Sequence, residues 1–288
     1  MKRMGVTRTT PWLALPAALG LMLCASLSPA AERTRAATRP ATPGEADVPS
    51  KLLHAGRDAR KPYYLIGPKT GARRPQRGYR LLIVLPGGTG GKEFYPFVKN
   101  IARRALPPGY LVAQPIARQW SARQAKSLVW PTETHRWEGM RFSTEAYVEA
   151  VARDIAGRYR IDKRFVFSLG WSSGGPPCYA LSLRKKRFVT GTFVAMSIFH
   201  PRLLPPLARA KGHAYFLLHS PQDFIPIAHA QSAEAELKKR GATTKLVTYP
   251  GGHGWRADAF GKIRAGIQWL EQAAQKRAAA KPSGARSR

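Results

Sequence analysis

The fold is decided by residues 165–175, whose sequence is FVFSLGWSSGG. A short apolar run ends in the pattern Gly-x-Ser-x-Gly, and two prolines and an apolar segment follow. This order predicts a strand, a sharp turn and a helix, with glycines that leave room for a strained backbone lifting the Ser172 hydroxyl above the sheet. The prolines fit the first helical turn, where a missing N–H group costs least. The pattern alone is weak, because a glycine-rich chain supplies it by chance, so its surroundings must support it.

Strand and helix patterns alternate on both sides of this stretch. Apolar runs predict strands at 79–85, 110–113, 164–169, 188–197, 215–218 and 245–249. Helical periodicity predicts helices at 94–105, 143–159, from 176 onward, at 228–240 and at about 257–272. Such alternation indicates an α/β fold with a mostly parallel central sheet and helices on both faces. Sites in such sheets form at the carboxyl ends of the strands.

Candidate partners for Ser172 follow two later strands. A hydrolytic serine needs a base, and the base needs an acid to orient it. The stretch between Ser172 and His253 contains three acidic residues: Asp223, Glu234 and Glu236. The two glutamates fall inside a predicted helix. Asp223 and His253 each follow a predicted strand in a loop. We therefore predict Ser172 as nucleophile, His253 as base and Asp223 as the orienting acid; a helix cap at Asp223 and a surface histidine at His253 are the alternatives.

The glycine-rich loop at residues 86–91, PGGTGG, follows the first long apolar strand. Hydrolysis through a serine needs two N–H groups that stabilise the tetrahedral oxyanion. One is expected from Ser173, next to the nucleophile, and the other from Gly88, with Thr89 as the alternative. A phosphate-binding loop is the competing interpretation, but the Gly-Lys-Ser/Thr ending of such loops is absent.

Together these residues resemble the α/β-hydrolase superfamily, and more narrowly the secreted esterases that include polyhydroxybutyrate depolymerase-like and feruloyl or acetylxylan esterase-like proteins. The resemblance covers residues 78–271 and rests on the loop 86–91, the serine turn, the Asp223 loop and the Tyr249–Trp255 segment. It departs at Pro86, where a histidine commonly precedes the glycines, and at Ser220, where glycine often stands.

The resemblance implies an α/β-hydrolase fold and a serine esterase that forms an acyl-enzyme, needs no cofactor and acts on a small-molecule or polymeric ester. The Gly-Trp-Ser-x-Gly-Gly turn is also similar to that of prolyl-oligopeptidase-like peptidases, so a small serine peptidase is one alternative. A non-catalytic cationic surface-binding protein on the same scaffold is the other.

Three tryptophans are candidate substrate-binding residues. Trp130 and Trp137 lie in a long segment, about 117–142, between a strand and a helix, and Trp171 precedes the nucleophile. They either pack in the core or form an aromatic wall beside the site. The six histidines other than His253 show no metal-ligand spacing, so we expect no metal site.

The first 30 residues show the pattern of a secretory signal: Lys2 and Arg3, an apolar run at 12–27, and small residues up to Ala30. A retained membrane anchor and lipidation at Cys24 are the alternatives. We predict cleavage after Ala30 and a secreted or periplasmic protein. Residues 31–50 are predicted as a flexible basic leader, 51–272 as the catalytic domain and 273–288 as a disordered basic tail.

The charge is the unusual part of the composition. The 288 residues contain 48 Lys+Arg and 16 Asp+Glu, a net charge of +32, which falls to +29 when the signal segment takes three basic residues with it. The 44% of hydrophobic residues excludes a chain that is disordered throughout. The charge favours adhesion to anionic envelope polymers or reflects compositional bias, and no specific nucleic-acid partner is expected because no binding module is recognised.

Overall fold

Residues 48–280 are described by the computed structural model. The predicted signal segment, most of the predicted leader and the last eight residues lie outside the described residues, so the predictions made for them stand as predictions.

Eight strands form one sheet that is mostly parallel, as the sequence predicts. The strands are β1 (Ser50–His54), β2 (Pro62–Ile66), β3 (Tyr79–Leu85), β4 (Tyr110–Pro115), β5 (Ile161–Trp171), β6 (Gly191–Ala195), β7 (Ala214–His219) and β8 (Thr243–Thr248). Their order is β1-β2-β4-β3-β5-β6-β7-β8. Strands β3 to β8 pair in parallel, whereas β1 and β2 join the sheet antiparallel beside β4.

The neighbours β3 and β5 are the pair that positions the site. Leu85 at the end of β3 pairs with Gly170 near the end of β5, so the loop after β3 and the turn at Ser172 leave the same edge of the sheet. This placement is what the strand-end rule for parallel sheets requires.

Helices cover both faces of the sheet. They are α1 (Tyr95–Asn100), which continues as a π-helical turn (Ile101–Ala105), α2 (Ala122–Ser127), α3 (Thr144–Arg158), α4 (Gly175–Ser182), α5 (Ala228–Lys239) and α6 (Ala259–Ala279). Apolar residues of α3, α4 and α5 belong to one core cluster, and those of α1 and α6 belong to the other. Side chains of β3 alternate between the clusters, with Leu81 and Ile83 in the first and Leu82 and Val84 in the second. Within residues 48–280, no helix is long and apolar enough to span a membrane.

Two predicted boundaries are wrong. The sequence predicts a flexible leader up to residue 50, but Val48 is buried and β1 begins at Ser50. Strand β1 is ordered because it pairs with β2 along its whole length. The disordered tail was expected from 273, but α6 continues to Ala279. Ala274 packs in the core, and the Arg277 guanidinium donates hydrogen bonds to the carbonyls of Thr190 and Gly212, which anchors the last turns. The sequence patterns do not predict β1, β2 or α2.

Candidate active site

Ser172 lies on a strained turn between β5 and α4. Its φ is +51°, a left-handed backbone conformation that residues other than glycine rarely adopt. A short 3-10 turn (Ser172–Gly174) leads into the helix. Strained residues of this kind persist only where the surrounding structure holds them, and they cluster at functional sites. The turn therefore has the shape that a nucleophilic serine needs.

Two glycines allow this turn to pack tightly. A Cβ atom added to Gly174 would lie 1.9 Å from the Leu85 carbonyl oxygen at the end of β3. A Cβ atom added to Gly170 would lie 2.2 Å from the carbonyl oxygen of Gly174. Both contacts involve backbone, which cannot move aside, so the glycines of the Gly-x-Ser-x-Gly pattern are required by close approach.

Trp171 holds the turn from the core side and does not line the cavity beside Ser172. Its ring packs against Phe94, Phe97 and Trp255, with centroids 5.6 to 5.8 Å apart. The side chain is buried among these rings. The structure therefore places Trp171 in the core, where it fixes the backbone next to the nucleophile, and not on the substrate-binding wall suggested from the sequence.

Asp223 and His253 form a hydrogen-bonded pair. Both carboxylate oxygens of Asp223 lie 2.9 Å from Nδ1 of His253, and the Asp223 side chain is 0% exposed. The Ile225 N–H donates a further hydrogen bond of 2.8 Å to Oδ1 of Asp223. A carboxylate facing Nδ1 favours a proton on that nitrogen and leaves Nε2 free to accept one. Asp223 does not cap α5, whose N-cap is Ile227.

Ser220 ties the loop of Asp223 to the loop of His253. Its hydroxyl accepts a hydrogen bond from the Gly252 N–H at 3.1 Å and donates one to Oε1 of Gln222 at 2.9 Å. Ser220 is the position at which the sequence departs from the esterase pattern, because glycine often stands there. Here the serine hydroxyl fixes the spacing of the two loops, a function that glycine cannot supply.

The loop of His253 is also anchored to the region around the nucleophile. The Gly254 N–H lies 3.0 Å from Sδ of Met196, which follows β6, and the Trp255 ring packs on Trp171. Among the described residues, no hydrogen bond joins the Ser172 hydroxyl to the His253 imidazole. The structure thus brings Asp223 and His253 into direct contact, whereas the contact between Ser172 and His253 stays a prediction.

The glycine loop after β3 lies directly beside the serine turn. The Ser173 hydroxyl donates a hydrogen bond of 2.9 Å to the Gly88 carbonyl, and Gly88 has a φ of +54°. The Trp130 indole N–H donates to the Pro86 carbonyl at 3.0 Å. Gly88 and Ser173 both line the cavity next to Ser172. The arrangement suits the two N–H donors that the sequence predicts for an oxyanion, and it shows that Trp130 braces their loop.

A cavity of about 600 Å³ lies next to Ser172. One wall comes from the segment before α3 and the other from residues 198–204, which follow β6; the apolar lining residues are Leu128, Val129, Trp130, Pro176, Tyr179, Ile198, Leu203 and Leu204. Lys126, His135 and His200 also line it. Trp130 is 2% exposed and contributes to this wall. Trp137 lies outside the cavity, with its ring facing the Arg123 guanidinium.

Two residue groups were missed by the sequence analysis. The segment 198–204 forms one wall of the cavity and follows β6, so the strand-end rule could have identified it. Phe224, beside Asp223, is 76% exposed and its ring centroid lies 4.4 Å from that of His253. An exposed aromatic side chain beside the base was not predictable from its sequence neighbours.

The described residues contain no group of three or more His, Cys, Asp or Glu side chains that could hold a metal ion. Cys178 is fully buried, and burial raises the pKa of its thiol to about 12. A thiol with so high a pKa carries almost no thiolate near neutral pH and is therefore not a competing nucleophile.

Comparison with known proteins establishes the fold. No protein-family model matches the chain, and no curated protein matches it either. A thermostable esterase superimposes with a TM-score of 0.58 and 20% sequence identity over 78% of this chain. The match covers 63% of the length of that esterase, so this chain spans less than two thirds of it. A carboxylesterase from Mesorhizobium loti has a TM-score of 0.56 and 20% sequence identity, and the match covers 77% of this chain and 98% of that carboxylesterase. An α/β-hydrolase enzyme from a Medee basin deep-sea metagenome library has a TM-score of 0.56 and 12% sequence identity, and the match covers 80% of this chain and 99% of that enzyme. The chain therefore has the α/β-hydrolase fold that the sequence predicts.

Replacing Gly174 tests the tight packing of the serine turn. Gly174→Ala places a methyl group against the Leu85 carbonyl, and we expect it to lower the free energy of unfolding by about 3 kcal/mol. Urea unfolding measures this change. The matched control is Gly157→Ala on α3, where the added methyl group meets nothing within 4 Å and should stabilise the helix slightly. Equal stability of the two variants would contradict the steric account.

Proposed function

We propose that this chain, which has the α/β-hydrolase fold, is a serine hydrolase that cleaves carboxylic esters. The observation that carries the proposal is the fully buried Asp223 carboxylate bonded to Nδ1 of His253, at the same sheet edge as the strained Ser172 turn. A buried carboxylate is costly unless it is paired, and within residues 48–280 the ionic partner of Asp223 is His253, which supports His253 as the base. The esterases of similar fold support the choice of ester substrates.

We infer the following chemistry from the roles proposed for these groups. His253 Nε2 takes the proton of the Ser172 hydroxyl as Oγ attacks the ester carbonyl carbon, and the N–H groups of Gly88 and Ser173 bind the oxyanion. The imidazolium, stabilised by Asp223, then gives its proton to the departing alcohol oxygen, and the acyl group stays on Ser172. Water, deprotonated by His253, attacks the acyl carbon; the acyl–Oγ bond breaks, the imidazolium returns the proton to Ser172 Oγ, and the acid leaves.

We infer that the two halves of the ester lie in different places. The leaving alcohol must lie against His253, which protonates it, and Phe224 stacks on that imidazole. The apolar cavity is lined by Ser172, Gly88 and Ser173 but not by His253, so it takes the acyl group. Its volume of about 600 Å³ suits an acyl group larger than acetyl.

We also propose that the chain is exported, with the positive charge serving adhesion to anionic envelope polymers. The pattern of residues 1–30 supports export, and the excess of 48 Lys+Arg over 16 Asp+Glu supports adhesion.

Labelling with a fluorophosphonate probe tests the nucleophile. We expect the wild type to label once, Ser172→Ala not to label, and the exposed control Ser232→Ala on α5 to label like the wild type. Ester hydrolysis by Ser172→Ala should fall by about 10⁴-fold or more, and that by Asp223→Asn by about 10⁴-fold, because the wrong tautomer of His253 is then favoured. Labelling of Ser172→Ala at the wild-type rate would overturn the proposal. A matched ester and amide with the same acyl group separate an esterase from a peptidase.

Phe224→Ala tests the assignment of the alcohol side. We expect kcat/KM for an aryl ester to fall about ten-fold, since the ring of the leaving group loses its contact, while the methyl ester of the same acid is hydrolysed at the wild-type rate. Steady-state kinetics with the paired esters measures the difference. Leu203→Ala is the control on the acyl side and should change the preference for acyl length with both alcohols alike. Equal losses with aryl and methyl esters in Phe224→Ala would refute the assignment.

Cell fractionation tests export and adhesion together. We expect the chain outside the cytoplasm with Ala31 at its N-terminus, bound to the cell envelope at low salt and released at high salt, because salt screens charge contacts. Mass spectrometry of the released protein reads the terminus. A chain that keeps residues 1–30 contradicts cleavage, and release that does not depend on salt contradicts adhesion.

A further inference from the structure

A second cavity, of about 660 Å³, lies at the opposite edge of the sheet from Ser172. It opens where β5, β6 and β7 begin, and the last turns of α6 form one wall. Lys163, on its rim, lies nine positions before Ser172 along β5. At about 3.3 Å per residue this distance is roughly 30 Å. The cavity is therefore separate from the proposed ester site.

Two arginines that line this cavity are held by backbone carbonyls. Arg277 on α6 donates to the carbonyls of Thr190 and Gly212, which precede β6 and β7. Arg187 donates through one nitrogen, Nη1, to the carbonyl of Arg209 at 2.9 Å. Each guanidinium has five N–H groups in a rigid fork, so both side chains keep donors beyond these contacts. The contacts fix the orientation of both groups before any ligand arrives.

The positive charge in this cavity is not balanced by carboxylates. Among residues 48–280, no acidic side chain lies within ion-pair distance of Arg187, Arg277 or Lys163. The acids that come near are used elsewhere: Asp162 pairs with Arg164 at 2.6 Å and Glu149 with Arg184 at 3.0 Å. The carbonyl end of α6 contributes a partial charge of about −0.5, which is small beside three formal positive charges.

The electrostatic effect of this cluster extends to its neighbours. Burial and the nearby Arg187 charge lower the pKa of Arg277 from its usual value. Burial and the charges of Arg187 and Arg277 hold the pKa of His213 well below its usual range. His213 is fully buried behind Gly212, and its Nδ1 has no hydrogen-bond partner. Like charges held together in this way favour an anion between them.

We propose that this cavity, which we call the arginine pocket (Lys163, Arg187, Thr190, Gly212 and Arg277), binds a small anion with phosphate-type oxygens. Inorganic phosphate and the phosphate group of a small phosphomonoester share this chemistry, and the forked donors of Arg187 and Arg277 match it. Capping of strand-end carbonyls by itself accounts for the bonds to Thr190 and Gly212. It does not account for two guanidinium groups facing one cavity with no carboxylate between them. A bound anion joins the end of α6 to the starts of β6 and β7 and so stabilises the fold.

Thermal unfolding with inorganic phosphate tests the proposal. We expect the Tm of the wild type to rise saturably with phosphate and not with chloride at equal ionic strength, because a ligand that binds only the folded state stabilises it. Arg187→Gln and Arg277→Gln should each weaken phosphate binding about ten-fold or more. Arg141→Gln, at an exposed arginine just before α3 that does not line the arginine pocket, removes the same charge, and the variant should bind phosphate like the wild type.

Calorimetric titration with phosphate and with glycerol phosphate separates the two sources of the anion, since tighter binding of one identifies it. Chloride and phosphate acting alike on the wild type, or equal phosphate affinity in Arg187→Gln and Arg141→Gln, would overturn the arginine pocket. If Arg277→Gln does not fold, the wild-type and Arg187→Gln titrations still decide. Fluorophosphonate labelling should be the same in all these variants, so failure here is distinguishable from failure of the esterase proposal.

Discussion

The close approach of the serine turn to the end of β3 is the constraint on which the site depends. Only hydrogen at the Cα of Gly174 leaves room for the Leu85 carbonyl, so β3 and β5 must be neighbours with their carboxyl ends level. That arrangement strains Ser172 and sets the glycine loop after β3 beside it. Trp171 and Trp130 then fix the two segments from opposite sides, through core packing and a hydrogen bond to Pro86.

The second requirement of the site is the buried Asp223 carboxylate, which is paired with His253. The Asp223 side chain has no exposed surface, and its carboxylate contacts His253 and one backbone N–H. Ser220 holds the loops of both residues at a fixed spacing. The His253 imidazole therefore has a fixed orientation, which is what the proposed role as catalytic base requires.

Charge is distributed unevenly between the two edges of the sheet. With 16 acids for 48 basic residues, most cations have no carboxylate available, and several of the acids serve structural ion pairs. Most exposed cations are solvated at little cost. Arg187 and Arg277 line one cavity, and burial together with their charges lowers the pKa of His213. The net charge of +32 thus points to no particular site. The local excess of cations over carboxylates at the amino ends of β5 to β7 is what points to the arginine pocket.

The sequence by itself determined the parallel α/β sheet, the strained serine turn and the positions of Asp223 and His253, because each follows from local patterns: apolar runs, glycines and the loops after strands. Only the tertiary structure decided that Trp171 faces the core, that residues 198–204 wall the cavity, and that Phe224 stacks on His253. It also decided the pairing of β1 with β2, the extension of α6 to Ala279 and the meeting of Arg187 with Arg277. These depend on contacts between residues far apart in the chain, and no local pattern records which side of an element its distant partner will occupy.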